Sequence, residues 1–199
     1  MEIERRVFKM TELRAPPEEG DGRTIAGHAA VFDELSEDLG GFREKIEPGA
    51  FTDTLKNDDV RALFNHNADY ILGRTSAGTL RLREDKRGLI FENDVPETSY
   101  GSDLLVSIRR GDVSEMSFAF VALVDEWEKG SEKELDTRTL KVVRLFDASP
   151  VTFAAYPQTD VATRSLQAWR SGMESEADEE RADRLRRMRL LEAEIAVRL

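Results

Sequence analysis

The sequence predicts a mainly β domain with packed helices, an α+β fold, because short apolar segments of strand length alternate with turn residues from residue 23 to about 156. Helical patterns in that region are few, and one amphipathic pattern follows it near the C-terminus. The chain has 199 residues, of which 40% are hydrophobic. That is enough for one domain of ordinary size with a buried core, plus an appendage.

Strand patterns recur along this region. Residues 24–32 (TIAGHAAVF) and 60–65 (VRALFN) predict half-buried strands. The segments TLRLRE and GLIFENDV flank the turn sequence EDKRG, which predicts a hairpin. Residues 116–124 (MSFAFVALV) are apolar at nearly every position, as in a strand covered on both faces. The segments TLKVVRLF and SPVTFAA predict two more strands.

Two segments predict helices. In ETSYGSDLLVSIRRGD an N-cap is available from Thr98, Ser99 or Ser102, and Gly111 is a suitable stop. Between the N-cap and Gly111, the apolar residues are Leu104, Leu105 and Ile108. Arg109 and Arg110 follow at the C-terminal end, where the helix dipole favours cations. A second, shorter helix is expected within PGAFTDTLKN.

Changes in composition divide the chain into three parts. Residues 1–22 are predicted to be a flexible N-terminal segment, 23–161 the domain itself, and 162–199 a C-terminal amphipathic helical tail. The tail could dock on the domain or on a second copy, or could be a partner-binding or targeting segment that proteolysis removes. Its apolar residues at helical spacing are Leu185, Met188, Leu191, Ile195 and Leu199.

Charge and composition exclude several classes of function. With 29 basic and 40 acidic residues the net charge is -11, which repels phosphate backbones, so nucleic-acid binding is not expected. The absence of cysteine excludes disulfides, thiolate nucleophiles and zinc ribbons. No apolar segment is long enough to span a membrane and no export signal is recognisable, so a soluble, unexported protein is expected. Two histidines cannot form a three-histidine metal site.

The two histidines differ in setting. His66 lies in LFNHN at the end of a predicted strand, where an imidazole can accept and return a proton; the alternative is a structural histidine. His28 has no polar neighbours in TIAGHAAVF and is interpreted as a packed strand residue.

A serine and an acid complete the candidates. Ser117 lies in the most apolar strand, where a hydroxyl needs a partner: an imidazole would make it a nucleophile, and a backbone carbonyl would make it structural. Ser114, in the more polar turn before it, could instead cap backbone groups. Asp147, in RLFDASPVTF, could orient an imidazole or could initiate a turn before Ser149 and Pro150.

Taken in order, these motifs resemble the tailed-phage prohead serine proteases, the procapsid maturation enzymes. The matching segments are IAGHAAVFDE, EKIEPGAF, LFNHN followed by ILGRT, RRGDVSEMSF, and an acid followed by an SPVTF-type strand and a Tyr-Pro turn. The resemblance covers residues 25 to about 161.

The resemblance implies an endopeptidase inside an immature capsid in the host cytoplasm. Its substrates would be a scaffold protein or a scaffold-like extension of the major capsid protein, and it would also cleave itself. The implied fold is an assemblin-like β-barrel flanked by helices, and by analogy a homodimer. His66 matches the family's general base, Ser117 its nucleophile and Asp147 its third, orienting residue. The family usually has Glu at the position of Asp147 and often Gly at that of Ala119, so the shorter Asp147 needs a closer backbone to reach the imidazole.

Two other classes of function stay open at this level. A non-enzymatic capsid-assembly or scaffold module would keep the domain and recruit partners through the tail. A metal-dependent hydrolase would need a carboxylate-rich site, because the sequence offers two histidines and no cysteine. No cofactor is expected.

Overall fold

The computed structural model describes residues 2–8, 13–16, 22–131, 133–153, 163–176, 179–181 and 183. Within these ranges a third helix, α3, spans residues 163–176, and the final residues 179–181 and 183 are also helical. The remaining elements, in chain order, are β1 (Glu4–Phe8), β2 (Thr24–Val31), β3 (Phe42–Ile46), α1 (Thr52–Asn57), β4 (Arg61–Phe64), β5 (Asn67–Arg74), a 3-10 turn (Thr75–Ala77), β6 (Leu80–Glu84), β7 (Gly88–Asp94), α2 (Ser99–Arg110), β8 (Glu115–Glu128) and β9 (Asp136–Val151).

The strands form two sheets. The larger has the order β1-β8-β9-β4-β5, with β3 also pairing with β9, and the smaller has the order β2-β7-β6. Strands β3 and β4 run parallel to β9, and the other pairs are antiparallel. One hydrophobic core joins both sheets to the start of α1 and the buried side of α2. The mixed, mainly β class predicted from the sequence is confirmed.

The closed barrel implied by the resemblance is not found in the described part of the chain. Closure requires a continuous ladder of hydrogen bonds around the sheet. Here the two sheets are separate hydrogen-bonded units, and the larger one ends at β1 and β5. The architecture is therefore two packed open sheets with helices.

Several predicted elements are present as expected. Strands β6 and β7 form the predicted antiparallel hairpin. Helix α2 begins after Thr98, whose side chain accepts a hydrogen bond from Gly101 N, and it ends at Gly111 with φ 81°. That left-handed conformation favours glycine, and the N-cap satisfies an otherwise unpaired N–H.

Three features differ from the sequence prediction. Segments predicted as two strands, TLKVVRLF and the start of SPVTFAA, form one continuous strand, β9. Pro150 is tolerated because it lies one residue before the end of that strand, where one missing donor costs little. Strand β1 lies within the segment predicted to be flexible, and β3 and β5 were not predicted. The boundary at 161/162 and the apolar tail residues at 185–199 lie outside the described residues.

Helix α3 packs on the larger sheet. Leu166 joins a small cluster with Leu39 and Phe42, and the Trp169 ring stacks on Trp127 with centroids 5.1 Å apart. The Arg170 guanidinium pairs with Asp136. The described beginning of the tail therefore docks on the domain. Among the described residues, no helix has the length and apolar character needed to cross a bilayer.

A buried ion cluster joins β1 to the rest of the large sheet. Arg6 contacts Glu4 at 2.6 Å and Glu44 at 2.7 Å, and Arg138 contacts Glu4 at 2.9 Å, Glu44 at 3.1 Å and Asp125 at 2.6 Å. Burial by itself would raise the pKa of Glu4, but Arg6 and Arg138 outweigh burial and hold that pKa below its ordinary value. Because the folded-state pKa is the lower one, this stabilisation is present at neutral pH and is lost on acidification.

We predict that Arg138→Ala lowers the free energy of unfolding by about 3–5 kcal/mol, because it leaves the buried carboxylates of Glu4 and Glu44 to share the one remaining guanidinium of Arg6. Urea denaturation measures the change. The control is Arg81→Ala, because the Arg81 side chain is 45% exposed beside Asp94 and its loss should cost less than about 1 kcal/mol. Equal losses in the two variants would contradict the assignment of a stabilising role to the cluster.

Gly73, in the ILGRT segment, is required by close packing. A Cβ at this position would overlap Asn93 Oδ1 and lie 3.1 Å from the carbonyl oxygen of Thr79. Asn93 is fully buried and its Nδ2 donates to the carbonyl of Leu72, so it cannot move aside freely.

We therefore predict that Gly73→Ala destabilises the protein by about 1–3 kcal/mol through overpacking. Gly172→Ala in α3 is the matched control, because nothing lies within 4 Å of a Cβ there. Thermal or urea unfolding should show a loss in the first variant and none in the second. An unchanged midpoint for Gly73→Ala would show that the neighbourhood adapts.

Candidate active site

The pairing of β8 with β9 brings a serine and a carboxylate onto the same face of the large sheet. Ser117 lies opposite Ser149, and Ala119 lies opposite Asp147. Cross-strand partners share a face, as do alternate residues of one strand, so Ser117 and Asp147 are diagonal neighbours. Met116 and Phe118 alternate to the other face and belong to the core. Ser117 thus occupies an apolar strand without facing its hydrophobic core.

A bulge follows directly on this arrangement. The register shifts between Ala119, which pairs with Asp147, and Phe120, which pairs with Leu145, so Phe146 is the extra residue on β9. Bulges of this kind alter the direction of neighbouring side chains and are frequent beside active sites. Residues two apart in a regular strand share a face. Because Phe146 is an extra residue, Leu145 and Asp147 instead point to opposite faces of the sheet.

His66 lies on the two-residue turn between β4 and β5. Phe64 pairs with Asn67, and the two intervening residues, Asn65 and His66, have φ values of 54° and 56°. Positive φ at both central positions is the signature of a type I′ hairpin turn, and among residues other than glycine Asn, Asp and His adopt positive φ most often. Because β4 is the neighbour of β9 in the sheet, this turn carries the imidazole to Asp147.

A hydrogen-bonded chain connects the three side chains. His66 Nδ1 lies 2.6 Å from Asp147 Oδ1, and His66 Nε2 lies 2.6 Å from Ser117 Oγ. An ionised carboxylate only accepts hydrogen bonds, so Nδ1 of the neutral ring carries the proton and donates it to Asp147. Nε2 is then the acceptor for the Ser117 hydroxyl. The shorter Asp147 reaches the imidazole directly.

The chain is largely removed from solvent. Ser117 has no exposed surface, and the His66 and Asp147 side chains are each 10% exposed. A carboxylate in such a place needs partners to remain charged. Asp147 Oδ1 has two of them, His66 Nδ1 and the Ser149 hydroxyl, which donates at 2.6 Å.

The turn that carries His66 is held to the end of β9. Asn65 N donates to the carbonyl of Pro150 at 3.0 Å. The Asn65 amide donates to Thr152 Oγ1 at 3.1 Å and accepts from Thr152 N at 2.8 Å. These bonds fix the backbone one residue before the imidazole, so the position of His66 is set by the main chain as well as by its own contacts.

The other residues considered from the sequence lie elsewhere. Ser114 is exposed in the segment before β8, and His66 Nε2 bonds to Ser117 and not to it. His28 lies on β2 with its Nε2 3.1 Å from Asp85, so it does have a polar partner, which the sequence alone did not indicate. Asp147 lies within a strand and initiates no turn.

Sequence reasoning missed Ser149 and Asn65 as members of the site. Ser149 follows Asp147 by two residues, and this spacing puts both on one face of a strand. Asn65 precedes His66 in LFNHN, and the preference of asparagine for left-handed turns was the available signal. In the described part of the chain, no group of three or more potential ligands converges on a metal position.

Comparisons with known proteins found one matching family model. The family model of the caudovirus prohead serine proteases matches residues 10–171. Among solved structures, the capsid assembly protease gp21 of bacteriophage T4 is similar at 10% sequence identity and a TM-score of 0.46, over 75% of this chain and 96% of that one. No curated protein matches the sequence significantly.

We predict that ¹⁵N NMR of histidine-labelled protein shows the neutral His66 ring protonated at Nδ1, because that atom faces Asp147. His28 is the internal reference: its Nε2 faces Asp85, so the opposite tautomer is expected. His28→Gln assigns the two signals, and Asp147→Ala should remove the preference at His66. A neutral His66 ring protonated at Nε2 would contradict the arrangement described above.

Proposed function

The chain belongs to the caudovirus prohead serine protease family, and from that premise we propose that it matures capsids by Ser117-dependent acyl transfer on scaffold segments. The substrate would be a scaffold protein or the scaffold-like extension of the major capsid protein. The site of action would be the interior of the prohead, in the host cytoplasm. The observation that carries this proposal is the continuous hydrogen-bonded chain from Ser117 through His66 to Asp147.

In this mechanism the roles follow from the positions of the protons. Ser117 Oγ attacks the scissile carbonyl carbon while its proton passes to His66 Nε2. The imidazolium then gives that proton to the departing amine, which leaves an acyl group on Ser117. Water, deprotonated by His66 Nε2, attacks the acyl carbon and releases the acid. Ser117 recovers its proton from the imidazolium.

Asp147 orients His66 and stays ionised throughout the reaction. Its Oδ1 accepts from Nδ1–H, which fixes the tautomer and leaves Nε2 free to receive the serine proton. The negative charge also stabilises the imidazolium at the moment that it forms. Low exposure of both groups strengthens this interaction, because little water competes for it.

The family also suggests how the chain is used. We propose that it cleaves its own C-terminal tail after about residue 161, beyond the described end of β9. The docking of α3 on the domain keeps the beginning of that tail close to the enzyme that would cut it. The assemblin-like architecture and the homodimer stay predictions from the family resemblance.

We predict that Ser117→Ala abolishes both self-processing and digestion of co-expressed scaffold protein, with rates falling by about four to six orders of magnitude. Far-UV circular dichroism should be unchanged, because only one buried oxygen is removed. Mass spectrometry of the purified chain reads out self-processing: the active protein loses part of the segment after about residue 161, and the variant stays intact.

Ser114→Ala is the matched control and should retain full activity, because Ser114 is exposed and outside the hydrogen-bonded chain. A fluorophosphonate probe should label the wild-type protein at Ser117. Cleavage by Ser117→Ala at the wild-type rate, or no labelling of any serine, would overturn the proposal. The second result would favour the non-enzymatic scaffold module.

A further inference from the structure

We propose that Ser149 is a fourth, positioning member of this site, which acts by holding Asp147 against His66. The inference rests on the function proposed above. It assigns to Ser149 no contact with substrate. The Ser149 hydroxyl fixes the orientation of the Asp147 carboxylate. Because the same hydroxyl also bonds to β4, it fixes the distance between Asp147 and the hairpin that carries His66.

Two hydrogen bonds connect the Ser149 hydroxyl to Asp147 and to the neighbouring strand β4. Ser149 is fully buried, and its Oγ lies 2.6 Å from Asp147 Oδ1. Leu63 N, on β4, donates to the same Oγ at 3.3 Å. Ser149 is also the cross-strand partner of Ser117. One hydroxyl therefore touches the strand of the acid and the strand that leads to His66, opposite the nucleophile.

The direction of these bonds follows from counting protons. A serine hydroxyl has one proton and two lone pairs. Since Leu63 N–H can only donate, Ser149 Oγ accepts there, and its own proton is available for Asp147 Oδ1. That oxygen thus receives two hydrogen bonds, one from Ser149 and one from His66 Nδ1.

Two donors on one oxygen fix the carboxylate better than one. With the imidazole alone, the Asp147 side chain could rotate about χ2 and exchange its oxygens, since that torsion has a broad, roughly twofold profile. The Ser149 hydroxyl, on the same strand two residues away, adds a second fixed direction. In metal sites, removing a group that orients a ligand in this way typically costs about 10- to 100-fold in affinity or activity, and we expect an effect of the same size here.

The first test measures the rate at which a fluorophosphonate probe labels Ser117, which requires no knowledge of the natural substrate. For Ser149→Ala we expect the limiting labelling rate to fall about 10- to 100-fold with little change in the probe's apparent affinity. Ser107→Ala is the control, because the Ser107 hydroxyl donates to the carbonyl of Asp103 within helix α2 and is not part of the hydrogen-bonded chain from Ser117 to Asp147. Labelling of Ser149→Ala at the wild-type rate would overturn the proposal.

A double-mutant cycle separates positioning from a general effect on folding. If Ser149 acts through Asp147, adding Ser149→Ala to Asp147→Ala should slow labelling no further. If Ser149 matters only for packing, the two effects should multiply, and that outcome would also overturn the proposal. Urea denaturation establishes that each variant is folded under the labelling conditions.

Two measurements keep the test decisive if Ser149→Ala does not fold or if Ser117 proves unreactive. The side chains of threonine and valine have nearly the same shape, but only threonine has a hydroxyl. Ser149→Thr should therefore preserve labelling, and Ser149→Val should not. The NMR signal of His66 Nδ1–H needs no catalysis: it should be sharp in the wild type and in Ser149→Thr, and broadened in Ser149→Val. Identical signals in all three proteins would refute positioning by Ser149, whereas an unlabelled Ser117 with the expected NMR differences would refute only the proposed function.

Discussion

The register between β8 and β9 is the constraint on which the rest of the site depends. Because Ser117 lies opposite Ser149 and Ala119 opposite Asp147, the hydroxyl and the carboxylate share a face and are separated by a diagonal of the sheet. A slip of one residue in this register would turn either Ser117 or Asp147 to the opposite face of the sheet. The imidazole of His66 spans that diagonal, and its turn is fixed by the carbonyl of Pro150 near the end of β9 and by the N–H of Thr152 just after the strand.

The same strand connects the site to the stability of the fold. Strand β9 pairs with β3, β4 and β8, and at its beginning Arg138 enters the buried ion cluster with Glu4 and Glu44. Replacing such a cluster by apolar residues is often neutral, whereas breaking it is costly. Strands β1 and β3 are therefore stably placed only where Glu4 and Glu44 contact Arg6 and Arg138. The C-terminal end of β9 has a similar but smaller arrangement, because the buried carboxylate of Asp147 is hydrogen-bonded to His66 and Ser149.

Much of this arrangement could be predicted from the sequence, for identifiable reasons. The hairpin of β6 and β7 and the helix α2 carry local signals: turn residues, a Thr98 cap and a Gly111 stop. His66, Ser117 and Asp147 could be predicted as site residues because the family motifs surround them, since none of the three is distinctive by itself. Strand β1 could not be predicted, since its alternation of Glu4 and Arg6 resembles an exposed segment until the partners from β3 and β9 are known. Likewise, Asp147, Ser149 and Pro150 suggest a turn, and only pairing with β8 and β4 keeps them in one strand.

The left-handed turn at Asn65 and His66 has a consequence for the stability of the fold. The left-handed conformation of a non-glycine residue lowers the stability of the fold by about 1 kcal/mol or more. Hairpin turns of this type most often have the sequence Asn-Gly. Glycine at position 66 would relieve this strain, but it would remove the imidazole that bonds to both Ser117 and Asp147. At this position the backbone conformation and the side-chain contacts therefore favour different residues, and the chain carries the one with the imidazole.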